Sequence, residues 1–154
     1  MALGAPGLAA IGGIFRNYRG FSKGSFCKAI GVQNAFFAEL LAFITAVDIA
    51  WHKGWFKIWF EMDSLTLVTS IQNDSFQPPW PLLIAWQNCQ QQLTQFQYHI
   101  SHVFREGNQV ADALTKQGLS HSTLKWWPSH PDNINRLLAH DYGSFPNYRF
   151  KGFG

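Results

Sequence analysis

Phe56-Lys57-Ile58-Trp59-Phe60-Glu61-Met62-Asp63-Ser64 is the stretch on which the fold turns. Ile58, Phe60 and Met62 alternate with Lys57, Trp59 and Glu61, the period-two pattern of a strand whose two faces meet different surroundings. Asp63 and Ser64 stop that strand and can cap a short helix over about residues 65–72. In an open α/β sheet, ligands collect at the carboxyl ends of strands, so an acid at this position is either an N-cap or a functional group.

Upstream, Asn34 can cap a helix reaching about His52. Phe37, Leu40, Leu41, Ile44, Val47 and Trp51 recur there at three- and four-residue intervals, and Gly54 stops it. Before it, residues 8–16 and 21–30 read as a hairpin around Asn17-Tyr18-Arg19-Gly20. Gly12 and Gly13 in its first strand predict another backbone running close by. Downstream, the prolines of residues 73–81 mark a loop. Leu82, Trp86, Cys89 and Leu93 then form a helical stripe backed by a glutamine-rich face, expected to be solvated. Residues 96–104 alternate as a further strand, followed by a helix capped near Asn108 and ended near Gly118. Strands alternating with helices predict an α/β fold: a mixed sheet with right-handed crossovers, covered by helices.

Hydrophobic residues make up 47% of the 154 and charged residues only 14%, against about 25% in an average soluble protein. One domain with a single core is the expected organisation, with much uncharged or aromatic surface. The formal charge of +3 leans toward an anionic partner, but the basic residues are scattered and form no block. Cys27 and Cys89 have no metal-type spacing and read as small core residues. Gly4, Pro6 and Gly7 interrupt the apolar N-terminus, so no signal peptide is legible, and no apolar run reaches the length of a membrane span. An intracellular setting, nuclear or cytoplasmic, and a monomer away from membranes are the expectations.

Three acids fall at strand-to-helix junctions or in early helical turns: Glu39, Asp63 and Asp112. Glu39 lies at the margin of an apolar stripe, and Asp112 sits among Val110, Ala111, Ala113 and Leu114. If they converge, their mutual repulsion raises their pKa values unless a divalent cation neutralises them. Magnesium suits such a cluster through its preference for oxygen ligands, with manganese as an alternative. A pair of such ions can drive phosphodiester hydrolysis.

The run from Gly4 to Asn17, then Ala38-Glu39-Leu40, Glu61-Met62-Asp63-Ser64 and His102 to Leu114, resembles the ribonuclease H family in order and spacing. It is most similar to the reverse-transcriptase-like domains abundant in plants and related to those of non-LTR retroelements. The similarity covers about residues 2–118, which divides the chain into an RNase H-like domain over 1–118 and a C-terminal tail over 119–154. The resemblance implies an endonuclease cutting the RNA strand of RNA/DNA hybrids with four acids around magnesium. Glu39, Asp63 and Asp112 match the second, third and fourth.

The family's first Asp belongs to an opening central strand. Met1-Ala2-Leu3 stands where that strand should end, so both the acid and most of the strand are missing, and impaired activity is expected. Either another segment fills the sheet or its neighbours' backbone groups go unpaired. Aligning strand ends puts Arg105, rather than His102, in the place of the family's catalytic histidine. Gly4 and Gly7 could let backbone amides approach the sugar-phosphate chain, and Asn108 could cap its helix and touch substrate. A non-catalytic nucleic-acid-binding or interaction domain retaining the fold is the alternative.

Overall fold

The computed structural model describes residues 7–19, 21–103, 124–128 and 148–153. Along the chain they form β1 (Gly7–Asn17), β2 (Ser22–Gln33), α1 (Ala35–Lys53), β3 (Lys57–Met62), α2 (Leu65–Ile71), a 3-10 turn (Trp80–Leu82), α3 (Leu83–Leu93), β4 (Gln97–His102), β5 (Lys125–Trp127) and β6 (Tyr148–Phe153). The helix reaching from Asn108 toward Gly118 lies outside the described residues.

Local chemistry accounts for the helix ends. The Asn34 side chain accepts from the Phe37 amide at 2.8 Å, satisfying a donor that the first turn of α1 leaves open. Gly54 closes the same helix at φ 76°, a left-handed cap that glycine enters without a Cβ clash. Ala35, Ala38, Ala42, Phe43, Ala46, Val47 and Ala50 of α1 are buried, so the helix lies on the sheet by its small-residue side. Its 19 residues are also long and apolar enough to cross a membrane by length and composition, which the sequence reading did not anticipate. Here that apolar surface packs into the core, with Phe43 edge-on to Phe60 at 5.1 Å. Leu82, Trp86, Cys89 and Leu93 are buried as their spacing predicts, and Phe76 packs on Trp86 at 5.5 Å.

The six-stranded sheet has the order β4-β3-β6-β1-β2-β5. β3 runs parallel to β4 and to β6, whereas β1 is antiparallel to β2 and to β6, so the sheet is mixed as expected. The place between the hairpin and β3 is taken by β6. Gly12–Asn17 pair with it on one side and Ile58–Met62 on the other. Its arrival satisfies the backbone groups that an empty place would orphan. Gly12 and Gly13 stand opposite Phe153 and Gly152, so β6 is the neighbouring backbone that the glycines foreshadow.

Phe150 anchors β6. It is fully buried, with ring centroids 4.9 Å from Phe15, 5.9 Å from Phe26 and 6.0 Å from Phe60. β5 docks on the far edge of β2, where Trp126 packs 6.1 Å from Phe15 and 6.5 Å from Trp55. Gly24 makes room for it, because a Cβ there would run into the Trp126 ring. Residues 119–154 thus contribute two strands to the same sheet as the hairpin.

Candidate nucleic-acid site

β3 ends at Met62, and the residue that caps the following helix is Ser64, whose hydroxyl accepts from the Leu67 amide at 3.1 Å. Asp63 is therefore not the N-cap of α2. It stands at the carboxyl end of a central parallel strand, half-buried, where an open α/β sheet presents its ligands.

α1 starts at this same end of the sheet, because the helix runs back from the end of β2 to the start of β3. Glu39 falls on the sheet-facing stripe defined by Ala35, Ala42, Ala46 and Ala50, and its Oε2 is shielded from solvent. The fold thus brings Glu39 and Asp63 to one end of the sheet. Asp112, Arg105, Asn108 and Gly4 lie outside the described residues. Gly7 opens β1 opposite Gln33, exposed, and nothing described comes within 4 Å of where its Cβ would be.

Two further side chains at this end received less weight from the sequence. Glu61 was assigned to the face shared with Lys57 and Trp59, yet it is only 2% exposed. It belongs to the last pairings of β3, two residues before Asp63, which follows the strand's end. Its burial was hidden because alternation separates faces without saying that both are covered. His102 ends β4 directly beside Met62, and the Val103 amide donates to the Met62 carbonyl at 2.8 Å. It is a strand residue, as the alternation predicts, and it sits next to the strand end that carries Asp63.

Carboxylate oxygens are the hard donors that magnesium takes, so Glu39 and Asp63 suit a divalent cation in chemical type. Among the described residues no three His, Cys, Asp or Glu side chains are grouped closely enough to hold one. β6, in the central place, reads Tyr148-Arg149-Phe150-Lys151-Gly152-Phe153 and brings no acid to this end.

A profile of the reverse transcriptase-like family matches residues 3–118. A protein of Arabidopsis thaliana with a provisional ribonuclease H name is 31% identical over 140 residues, which is 90% of this chain and 22% of that protein. The chain thus spans about a fifth of that relative's length. Among solved structures, RNase H1 of Halobacterium salinarum superposes with a TM-score of 0.63 at 28% identity, covering 78% of this chain and 92% of that one. LC11-RNase H1, solved with an RNA/DNA hybrid, gives 0.67 at 22% identity over 78% and 91% of the two chains. At that identity the second likeness shows the fold alone. The match over most of its length, on a sheet of the ribonuclease H fold with Asp63 at the end of β3, places this chain in the reverse transcriptase-like family.

Proposed function

We propose that this domain binds RNA/DNA hybrids across the end of the sheet carrying Glu39 and Asp63, as an RNase H-type endonuclease that cuts the RNA strand slowly. The observation that carries the reading is the position of Asp63 directly after the carboxyl end of β3, one residue before the Ser64 that caps α2. Glu39, reaching from the adjacent helix, supplies the second carboxylate, and Asp112 is proposed as the third. Bound magnesium, or manganese, supplies the charge that lets these acids share a site and that neutralises the scissile phosphodiester. The chain's own part is to orient the carboxylates and to seat the hybrid. Gly4, Gly7 and Asn108 are the proposed backbone contacts, and Arg105 is proposed to assist product release. Slow turnover follows from β6, which occupies the central place without an acid.

That same feature favours a second reading, binding without cleavage. Incubation with a labelled RNA/DNA hybrid and magnesium separates the two. RNA-strand cutting that disappears in Asp63→Asn and Glu39→Gln, and on chelation with EDTA, supports the nuclease. Retention of the hybrid with no cutting at any magnesium or manganese concentration supports the binding domain.

A further inference from the structure

α3 turns its apolar anchors inward and leaves an outward stripe of different make-up. Trp80, Ile84, Asn88, Gln91 and Gln95 recur there at three- and four-residue steps, and all are exposed, Trp80 at 82% and Ile84 at 67%. Trp80 is the most exposed large hydrophobic among the described residues, yet it is held firmly. Pro79 and Pro81 flank it, the Leu82 amide donates to the Pro79 carbonyl at 2.9 Å, and Leu82 itself is buried. An indole kept rigid in water is a peg that loses little further freedom when something covers it.

At the other end of the stripe lies a matching hole. Trp51, Phe56, Gln91, Gln92 and Gln95 line an open groove of about 390 Å³, a size that takes a ring-bearing group. Trp51 and Phe56 are partly exposed in it, and Gln92 is set in place by donating to Asp48 Oδ1 at 2.8 Å. None of these lining residues is charged, and from Ser75 to Tyr98 the sequence holds no Asp, Glu, Lys, Arg or His. In a chain of formal charge +3, this is a surface that two copies can bring together without repulsion. The same lack of cations leaves nothing on it to hold a phosphate backbone.

The helical period sets how peg and hole can meet. At about 100° per residue, Trp80 falls on one flank of the stripe, and Gln92, with Trp51 and Phe56 beyond it, falls on the other. A twofold axis through the middle of the stripe, near Gln87 and Asn88, reverses both the helix direction and the flanks. Each Trp80 then arrives over the groove of the other copy, about 22 Å along the helix from its own groove.

We propose that this face joins two copies of the chain in an antiparallel α3-to-α3 dimer, each Trp80 seated against Trp51 and Phe56 of the other copy, with side-chain amides pairing across the axis. α3 ends where β4 begins, and β4 is parallel to β3, so the pairing sends the two Asp63 ends in opposite directions and leaves both uncovered. The dimer does not depend on hybrid binding or cleavage.

The test is sedimentation equilibrium of the full chain without nucleic acid, in which the parent should dimerise as its concentration rises. Trp80→Ala, at a position too exposed to carry the fold, should raise the dimer dissociation constant about a hundredfold, about tenfold for each of the two pegs. Gln87→Glu and Gln87→Arg each bring like charges together at the axis and should each weaken the dimer, while an equimolar mixture of the two should restore it. Asp63→Asn should dimerise as the parent does, which keeps this outcome apart from that of the hybrid assay. A parent that stays monomeric at every soluble concentration overturns the proposal. So does a dimer untouched by Trp80→Ala, or one that Gln87→Glu and Gln87→Arg weaken without rescuing each other.

Discussion

One hydroxyl decides how Asp63 is read. Because Ser64 Oγ caps α2, Ser64→Ala should lower stability by about 1 kcal/mol in urea unfolding. Asp63→Asn, which keeps the outline of the side chain, should cost less stability while abolishing any hybrid cleavage. The reverse ranking would mean that Asp63 is the cap after all. The thiols make a second statement at this scale. Burial pushes Cys27 from an ordinary value of 9.0 up to about 11, against a smaller opposite pull from Lys125, and it raises Cys89 in the same direction. An unfolded thiol loses its proton near 9.0 while native Cys27 keeps its own. The stability held below that pH is therefore lost as pH rises toward about 11. Urea midpoints across that range should fall less steeply in Cys27→Ala than in the parent, and equal slopes would show the thiol to be solvated.

Among the elements, α1 was the most legible, since Asn34, the apolar spacing and Gly54 all act within a few residues of where they stand. That Glu39 falls in α1 and Asp63 just after β3 was legible for the same reason, each following from a local helix or strand pattern. β6 was not. Its partners are fixed by pairings such as Phe15 with Phe150, across nearly the whole chain, and Tyr148 to Phe153 carries no local mark of a central strand. Its weight in the fold is testable: Phe150→Ala, which empties a site among Phe15, Phe26 and Phe60, should cost about 3–5 kcal/mol in chemical denaturation. A cost below about 1 kcal/mol would mean that β6 is not anchored where the pairing places it. The glutamine face of α3 was visible in sequence, but its meeting with Trp51 and Phe56 was not, because those rings come from other elements and join it only in the folded chain.

At the scale of the molecule, Asp63 at the carboxyl end of β3 and Glu39 in the opening turns of α1 come to one end of the sheet. The sheet also joins two modules, a hairpin (β1 with β2) and a parallel pair (β3 with β4), through a strand drawn from residues 148–153. During synthesis the modules can form early, since their contacts are near in sequence, but they have no common seam until the last of the bridging residues has left the ribosome. Until then each presents a bare strand edge to its surroundings, so translation speed up to residues 148–153, and any chaperone that shields such edges, governs how much of the newly made chain escapes aggregation.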